Sequence, residues 1–354
     1  FDDNSNGWTG LTGDNNLQIT GGQLVSSAPR DGIVYAAGWT LTGISAGDTV
    51  AITLSVSSVS AVAGPRLIGD LGDGSFYNVG THVVYAVAPV DNPNIRISTR
   101  QNTEWSVDSL SVKLADEDRS VNNNGLIVNG TVTRTPVATG ADLVAYSGFS
   151  ASNYLEQPYN PDLDFGTGDF CVMGWANFGA IAGPSTGERV MFARGGTNQF
   201  YFAKRSANDG IYFSQAGRGS WSGEVAVPPN VWTHVALIRR GNLFTIAVNG
   251  VESASQSLPA IDFSLADGAA RIGLRADNLK AFSTSGSGLA LWRISATAPT
   301  AEQIAKIYND EKVLFQENAQ ATLYGTSDAV TALAHDPVTD LLHAGTSAGR
   351  SVFQ

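Results

Sequence analysis

The sequence predicts an all-β protein, with two β-sandwich (jelly-roll) domains in series, one helix and a short blade-like β tail. Its 354 residues exceed the size of one typical domain. Only 15% of them are charged, and 39 glycines separate many short runs of alternating polar and apolar residues. Residues 231–251 form two apolar runs around a tight turn, and apolar side chains on both faces of these runs predict a hairpin inside a sandwich.

Charge and composition disfavour several classes of function. The formal net charge is −11 and there is no basic stripe to neutralise phosphates, so we expect no nucleic-acid partner. No apolar run is long enough to span a bilayer, so we expect no membrane insertion. The single cysteine, Cys171, lies in an apolar run and is predicted to be a buried thiol. The chain starts at Phe1 without a signal peptide, so we expect a part of a longer protein or export without such a signal.

Residues 1–115 are predicted to form the first sandwich, because about eight short strand-like runs are separated by turn residues. Its start (Phe1-Asp2 and Gly7-Trp8), its middle (residues 43–48) and its end (residues 107–112) resemble the carbohydrate-binding-module jelly rolls found beside glycanases and in viral tail proteins.

Two kinds of site are expected in the first domain, the first of them implied by that resemblance. In such modules, an acidic residue near the first strand and an aspartate of the last strand hold a structural calcium ion, and Asp2 and Asp108 occupy these positions. The alternative is that both are solvated turn residues. Trp39 and Tyr77 are candidates for stacking against sugars, because a flat ring matches the apolar face of a pyranose, although most such rings belong to a core.

Residues 116–124 are predicted to be a linker, and residues 125–298 the second sandwich. A Tyr-Leu pair at 154–155, an Asp-Phe-Gly-Thr-Gly-Asp-Phe block at 164–170 and a Trp-Thr-His-Val-Ala block at 232–236 follow one another in order. Over about residues 140–298 these blocks resemble the laminin-G-like and concanavalin-A-like sandwich family. The resemblance implies a two-sheet jelly roll, used by relatives for sugar or protein recognition and sometimes for glycan hydrolysis.

Binding is a stronger expectation than catalysis in the second domain. Trp221 stands in a Gly-rich stretch (216–223) that is predicted to be a loop, so it is the first candidate for ligand contact, with core packing as the alternative. Hydrolases of this fold carry a Glu-x-Asp-x-x-Glu constellation on one strand, and the sequence lacks that spacing. It also lacks a nucleophile elbow and zinc signatures, so we expect no enzyme.

The last part of the chain is predicted to contain a helix (299–319) and a β tail (320–354) that starts a further domain. Thr300 and Gln303 fit a capping box, and apolar residues follow at helical spacing. The tail resembles one β-propeller blade, which cannot bury its own faces.

Residues 124–354 resemble tail-associated proteins of bacterial viruses and gene-transfer particles. The resemblance implies a non-catalytic virion appendage acting outside the cell: a tail fibre, spike or baseplate-associated adhesin that binds a bacterial surface polysaccharide and contacts other virion subunits. Weak sugar sites gain from avidity, so we expect a homo-oligomer, with a trimer as the usual fibre state. A structural spacer of the virion without a ligand is the alternative, and a glycan hydrolase is the third hypothesis.

Overall fold

The chain is represented by a computed structural model. The structure describes residues 9–11, 17–20, 23–26, 36–60, 64–99, 103–116, 125–179, 188–195, 200–205, 210–215, 219–259, 261–264, 268–283, 286–317, 319, 330–346 and 349–353. Within these ranges, no helix is both long enough and apolar enough to cross a membrane.

Two antiparallel sheets form the first sandwich, and the predicted all-β fold class is confirmed. One sheet has the strand order β1-β4-β8-β6, and the other contains β2, β3, β9, β5 and β7. Val50, Ile52, Ile95, Ile97 and Trp105 lie in the core between them. The strands are β1 (Thr9–Leu11), β2 (Leu17–Thr20), β3 (Gln23–Ser26), β4 (Ala36–Thr40), β5 (Thr49–Val59), β6 (Arg66–Gly69), β7 (Gly80–Val87), β8 (Asn94–Ser98) and β9 (Trp105–Asp116).

The second sandwich is larger, and its core is rich in phenylalanine. One of its sheets has the order β11-β12-β23-β14-β19-β20-β21, and the other contains β18-β17-β16-β15-β22-β13-β10. The strands are β10 (Leu126–Asn129), β11 (Thr133–Pro136), β12 (Val144–Ser147), β13 (Tyr154–Gln157), β14 (Phe170–Phe178), β15 (Arg189–Arg194), β16 (Phe200–Lys204), β17 (Gly210–Gln215), β18 (Gly219–Ala226), β19 (Trp232–Arg240), β20 (Leu243–Val248), β21 (Val251–Ser257), β22 (Ala270–Ile272) and β23 (Ser287–Ser295).

The two sandwiches share one sheet. Strand β9 of the first pairs antiparallel with β10 of the second, with Asp116 opposite Leu126 and Ala115 opposite Ile127. Asp116 therefore ends a strand, while residues 117–124 of the predicted linker lie outside the described residues. A backbone ladder between the sandwiches fixes their relative position more firmly than a flexible connection would.

The predicted hairpin of residues 231–251 is confirmed as β19 and β20, joined by a turn at Gly241 and followed by a turn at Asn249, whose φ is +48°. Both faces of β19 are buried. Val235 and Leu237 face the phenylalanine core, whereas Ala236 and Ile238 pack with Ile304 of the helix that follows the sandwich. The apolar residues on both faces therefore reflect two separate layers of packing. Cys171 is buried in the second layer, as predicted.

That helix, α1 (Ala301–Glu311), continues as a 3₁₀ turn (Lys312–Phe315). Thr300 caps it, because the Thr300 hydroxyl accepts from the Gln303 amide at 3.3 Å and the Gln303 side chain accepts from the Thr300 amide at 2.8 Å. The predicted capping box is confirmed.

Thr300→Ala is expected to lower the free energy of unfolding by about 1 kcal/mol, because the first turn of α1 loses an acceptor for its backbone N–H. Chemical denaturation followed by tryptophan fluorescence measures the change. Thr300→Ser keeps the hydroxyl and is the matched control. Equal stability of the alanine and serine variants would show that the cap does not stabilise the docked helix.

The tail forms a three-stranded antiparallel sheet of β24 (Val330–Asp336), β25 (Leu341–Thr346) and β26 (Gly349–Phe353). The first strand continues through Asp336, and the turn to β25 lies at residues 337–340, where Asp340 adopts a φ of +57°. Leu333 is 66% exposed, so apolar side chains of this sheet face solvent.

Candidate functional site

The block that carries the family resemblance is a structural anchor. Arg194 is fully buried and forms an ion pair with Asp164 at 2.5 Å, while it also donates to the Leu163 carbonyl. Arg239 donates to the Gly166 carbonyl at 3.1 Å. The ion pair of Asp164 with a buried arginine fixes this segment against the sandwich.

A cleft of about 300 Å³ lies where the two sandwiches meet. Strands β9 to β12 and the turn before β5 form its walls. It is lined by Gly47, Asp48, Thr49, Leu114, Ala115, Asp116, Val128, Val132, Arg134 and Tyr146. Ligand sites of proteins commonly occur at such boundaries between domains, so this cleft is the candidate functional site.

Three polar side chains interact within the cleft. Arg134 and Tyr146 are direct cross-strand partners on β11 and β12, and the Arg134 guanidinium carbon lies 5.3 Å from the centre of the Tyr146 ring. Arg134 also lies 3.6 Å from the Asp116 carboxylate. Burial, and then hydrogen bonding to Asp116, raise the pKa of Tyr146, so its phenol keeps its proton at neutral pH. These residues thus place donors, an acceptor and an aromatic ring around one space.

The other side of the cleft adds acceptors and apolar surface. Asp48 is fixed because its carboxylate accepts from the Ser45 backbone N–H at 2.8 Å. Leu114 is 44% exposed and provides an apolar edge. Hydroxyl-rich ligands both donate and accept hydrogen bonds and have apolar C–H faces, so this mixture of groups suits them.

Two of the predicted sugar-stacking residues belong to the first core. Tyr77 is 7% exposed, packs in the hydrophobic core and donates its hydroxyl to Asp73 at 2.7 Å. Trp39 is half-buried and packs against the same core. The structure therefore favours the core-packing alternative for both rings. For Trp39 on β4, alternation along the strand predicts that the ring lies on one face, but not which face the second sheet covers. Tyr77 lies between β6 and β7, where no alternation applies.

Trp221 lies on a strand, which corrects the predicted loop over residues 219–223, while residues 216–218 lie outside the described residues. Residues 219–226 form β18, and Trp221 is the register partner of Phe213 on β17. The many glycines and serines suggested a loop because their strand propensity is low, but pairing with β17 overrides that preference. The side chain of Trp221 lies outside the described part of the structure, so its contact with a ligand stays a prediction.

The predicted calcium ligands are not brought together by the part of the chain that the structure describes. Asp2 lies outside the described residues, and Asp108 is exposed on β9, where its carboxylate accepts from the Gln23 side-chain amide. Over the described ranges, no group of three or more His, Cys, Asp or Glu side chains could hold a metal ion. Structural calcium at Asp2 and Asp108 stays a prediction.

The cleft residues were not predicted from the sequence. Asp116 was assigned to a linker, while Arg134 and Tyr146 stand in short polar strands without a motif. Only the pairing of β9 with β10 brings them together, and the sequence carries no local signal for this long-range contact.

A comparison with protein families supports the predicted resemblance. Residues 149–305 match the family described as the concanavalin A-like lectin/glucanases superfamily, and this confirms the resemblance predicted for the second sandwich. The matched segment covers less than half of the chain. No curated protein sequence matches the chain.

Solved structures show weaker similarities. Domain 4 of AbnA, a GH43 extracellular arabinanase from Geobacillus stearothermophilus in complex with arabinotriose, is 17% identical with a TM-score of 0.42, covering 55% of this chain and 93% of that domain. The receptor-binding domain of the botulinum neurotoxin C/D mosaic serotype is 12% identical with a TM-score of 0.44, covering 70% of this chain and 59% of the toxin domain. A SAP-like pentraxin from Limulus polyphemus is 12% identical with a TM-score of 0.32, covering 52% of this chain and 82% of the pentraxin. All three TM-scores are below 0.5.

Proposed function

We propose that this protein is a non-catalytic carbohydrate-binding protein that holds a bacterial surface glycan in the cleft between its two sandwiches. The observation that carries the proposal is the cleft itself: Arg134, Tyr146 and Asp116 converge there, beside a segment that matches a lectin family. Sugar hydroxyls would accept from Arg134 and Tyr146, and would donate to Asp48 and Asp116.

The charge of the chain favours a neutral glycan. The chain has a net charge of −11, so its long-range field repels an acidic polysaccharide. Arg134 is already paired with Asp116, so little positive charge is left in the cleft to attract an acidic sugar.

We further propose that the chain is part of a virion appendage, such as a tail fibre, spike or baseplate-associated adhesin, and acts outside the cell. Two recognition-type sandwiches in series and the blade-like tail sheet support this. Weak binding in a shallow cleft would be strengthened by several copies, so a homo-oligomer, with a trimer as the first hypothesis, fits the same role.

A structural spacer of the virion is the second candidate. It is favoured by the tail sheet, where Leu333 is 66% exposed and Val352 is 43% exposed, since exposed apolar residues on a small sheet suit contact with other subunits. In that case the sandwiches would fix distances between virion subunits and bind no sugar.

Arg134→Ala and Tyr146→Phe are each expected to weaken glycan binding about tenfold, because each removes a hydrogen-bond donor from the cleft. Binding is measured on a glycan array and on whole bacterial cells with the purified chain. The matched control is Arg66→Ala: Arg66 also lies over an aromatic ring, 5.5 Å from the centre of Phe76, but on the first sandwich away from the cleft. Equal binding by the cleft variants and the wild type would show that the cleft is not the glycan site. Absence of binding by the folded wild type would favour the structural spacer.

Two further arms of the same assay test the predicted sites. Loss of binding in Trp221→Ala alone would move the glycan site to β18. Loss of binding with a chelator would support structural calcium at Asp2 and Asp108.

A further inference from the structure

We propose a second carbohydrate-binding surface, on the outer face of the sheet that the two sandwiches share. This inference rests on the proposed function, since it assumes that the protein recognises glycans. The surface is one cross-strand row, called the junction row: Tyr85, Ala51, Lys113, Asn129 and Tyr154 on the adjacent strands β7, β5, β9, β10 and β13. It would bind a linear neutral glycan along its length.

Strand register places the row on one face. Ala51 is the direct partner of both Tyr85 and Lys113, and Asn129 is the direct partner of Tyr154. The Lys113 ammonium donates to the Asn129 side-chain oxygen at 2.8 Å and links the two halves across the domain boundary. Direct cross-strand partners share a face, and four strand spacings of about 4.8 Å place the two tyrosines about 19 Å apart.

The junction row is distinct from the cleft, although both use β9 and β10. Side chains alternate between the faces of a strand, so Lys113 and Asn129 lie on the opposite face from Leu114 and Val128, which line the cleft. A ligand on the row would therefore leave Arg134 and Tyr146 untouched.

Tyr85 forms one end of the row. It packs on the small apolar patch of Ala51, Ala115 and Ile127 and remains half-buried. Gly125 lets the chain pass close to this ring, because a Cβ at that position would lie 2.7 Å from the Asp116 carbonyl oxygen and 3.1 Å from the Tyr85 ring. The ring is thus held against the sheet, which reduces the entropy lost when a sugar stacks on it.

Tyr154 forms the other end, and its ring is held by a charged pair. The Arg271 guanidinium carbon lies 4.8 Å from the centre of the ring, and Arg271 donates to the Glu156 carboxylate at 2.7 Å. Tyr154 is half-buried, so it offers a positioned aromatic surface at the edge of solvent.

Asn129 positions the polar contact in the middle, which Lys113 supplies. Asn129 is 9% exposed, and its side-chain oxygen accepts from the Lys113 ammonium, which fixes the lysine head group at the centre of the row. Exposed Lys113 beside it has further N–H groups for sugar hydroxyls.

These groups together define the ligand class. Two rings about 19 Å apart with donors between them suit a linear chain of several sugar residues rather than a single sugar. Glu156 and the net charge of −11 disfavour an acidic chain, so the ligand is neutral.

Affinity electrophoresis of the full chain tests the proposal, with gels that contain hydroxyethyl cellulose, arabinoxylan, dextran or, as the acidic probe, hyaluronan. The wild type is expected to be retarded by at least one neutral polysaccharide. Tyr85→Ala and Tyr154→Ala are each expected to weaken this binding about tenfold, and Lys113→Ala several-fold. Tyr159→Ala is the matched control, because Tyr159 is 42% exposed but lies outside the row. Near-UV circular dichroism confirms that each variant is folded.

The outcomes separate this proposal from the cleft. Wild-type binding that is lost in Arg134→Ala but kept in both row tyrosine variants would overturn the junction row and leave the proposed function intact. Retardation by hyaluronan alone would overturn the neutral ligand class. A folded wild type that is retarded by none of the gels would overturn the junction row, and the glycan array then decides the proposed function separately.

Discussion

Trp175→Ala is expected to lower the free energy of unfolding by about 3–5 kcal/mol, because it removes a large buried ring that joins the second sandwich to α1 and the 3₁₀ turn. The Trp175 ring is 2% exposed and stacks on Phe315, with 4.2 Å between ring centres. Its indole N–H donates to the Glu311 carboxylate at 2.7 Å. The substitution therefore leaves a cavity and a partly buried carboxylate with one hydrogen bond fewer.

Urea denaturation followed by far-UV circular dichroism measures the loss for Trp175→Ala. Phe76→Ala is the control, since Phe76 is an aromatic residue that is 41% exposed, and its removal is expected to cost less than about 1 kcal/mol. A cost for Trp175→Ala as small as that of the control would mean that the helix does not cover this face in solution.

The second large effect is a loss of stability in acid that is due to His234. The imidazole is fully buried, and neither ring nitrogen has a hydrogen-bond partner among the described residues. Burial, and then the positive charge of Arg293, lower the pKa of His234 to about 4. In the unfolded chain the His234 imidazole is protonated near its ordinary pKa of about 6.5. In the folded chain it is protonated only near pH 4. The unfolded state therefore binds more protons between these values, and stability is expected to fall by about 3 kcal/mol as the pH drops from 6.5 to 4, with no further loss from this group below 4.

Denaturation curves between pH 7 and pH 3.5 measure the contribution of His234 to the pH dependence of stability, as a difference between variants. His234→Gln cannot titrate, so its stability is expected to depend less on pH than that of the wild type by about 3 kcal/mol over this window. Met173→Leu changes a buried neighbour in the same layer without adding or removing a titrating group, so it keeps the wild-type slope. Parallel curves for His234→Gln and the wild type would contradict a neutral buried imidazole.

Local patterns were sufficient for much of the second sandwich. The alternation of residues 231–251 predicted the hairpin, and the Thr300–Gln303 pair predicted the start of α1, because both depend on neighbours close in sequence. Apolar residues on both faces of β19 also indicated two covered faces. The sequence did not show that helix α1 packs on the second face of β19.

The junction between the sandwiches could not be predicted from the sequence. The β9–β10 pairing joins residues on either side of a charged, Asn-rich stretch, and nothing local specifies which strand Asp116 meets. The cleft and the junction row both depend on this pairing, so their residues were missed. The aromatic candidates show the same limit, because composition identifies Tyr77 as a possible stacking ring but its burial depends on a distant sheet.

Hydrogen exchange of the whole chain, with and without a saturating neutral polysaccharide that it binds, tests most directly whether the junction of the two sandwiches is the recognition surface. Peptides covering residues 110–116 and 126–136 are expected to exchange more slowly with the ligand, while peptides of the tail sheet (330–353) stay unchanged. Protection confined to β18 around Trp221, or to the loop of residues 70–79, with no change at the junction, would contradict a binding surface where the two sandwiches meet.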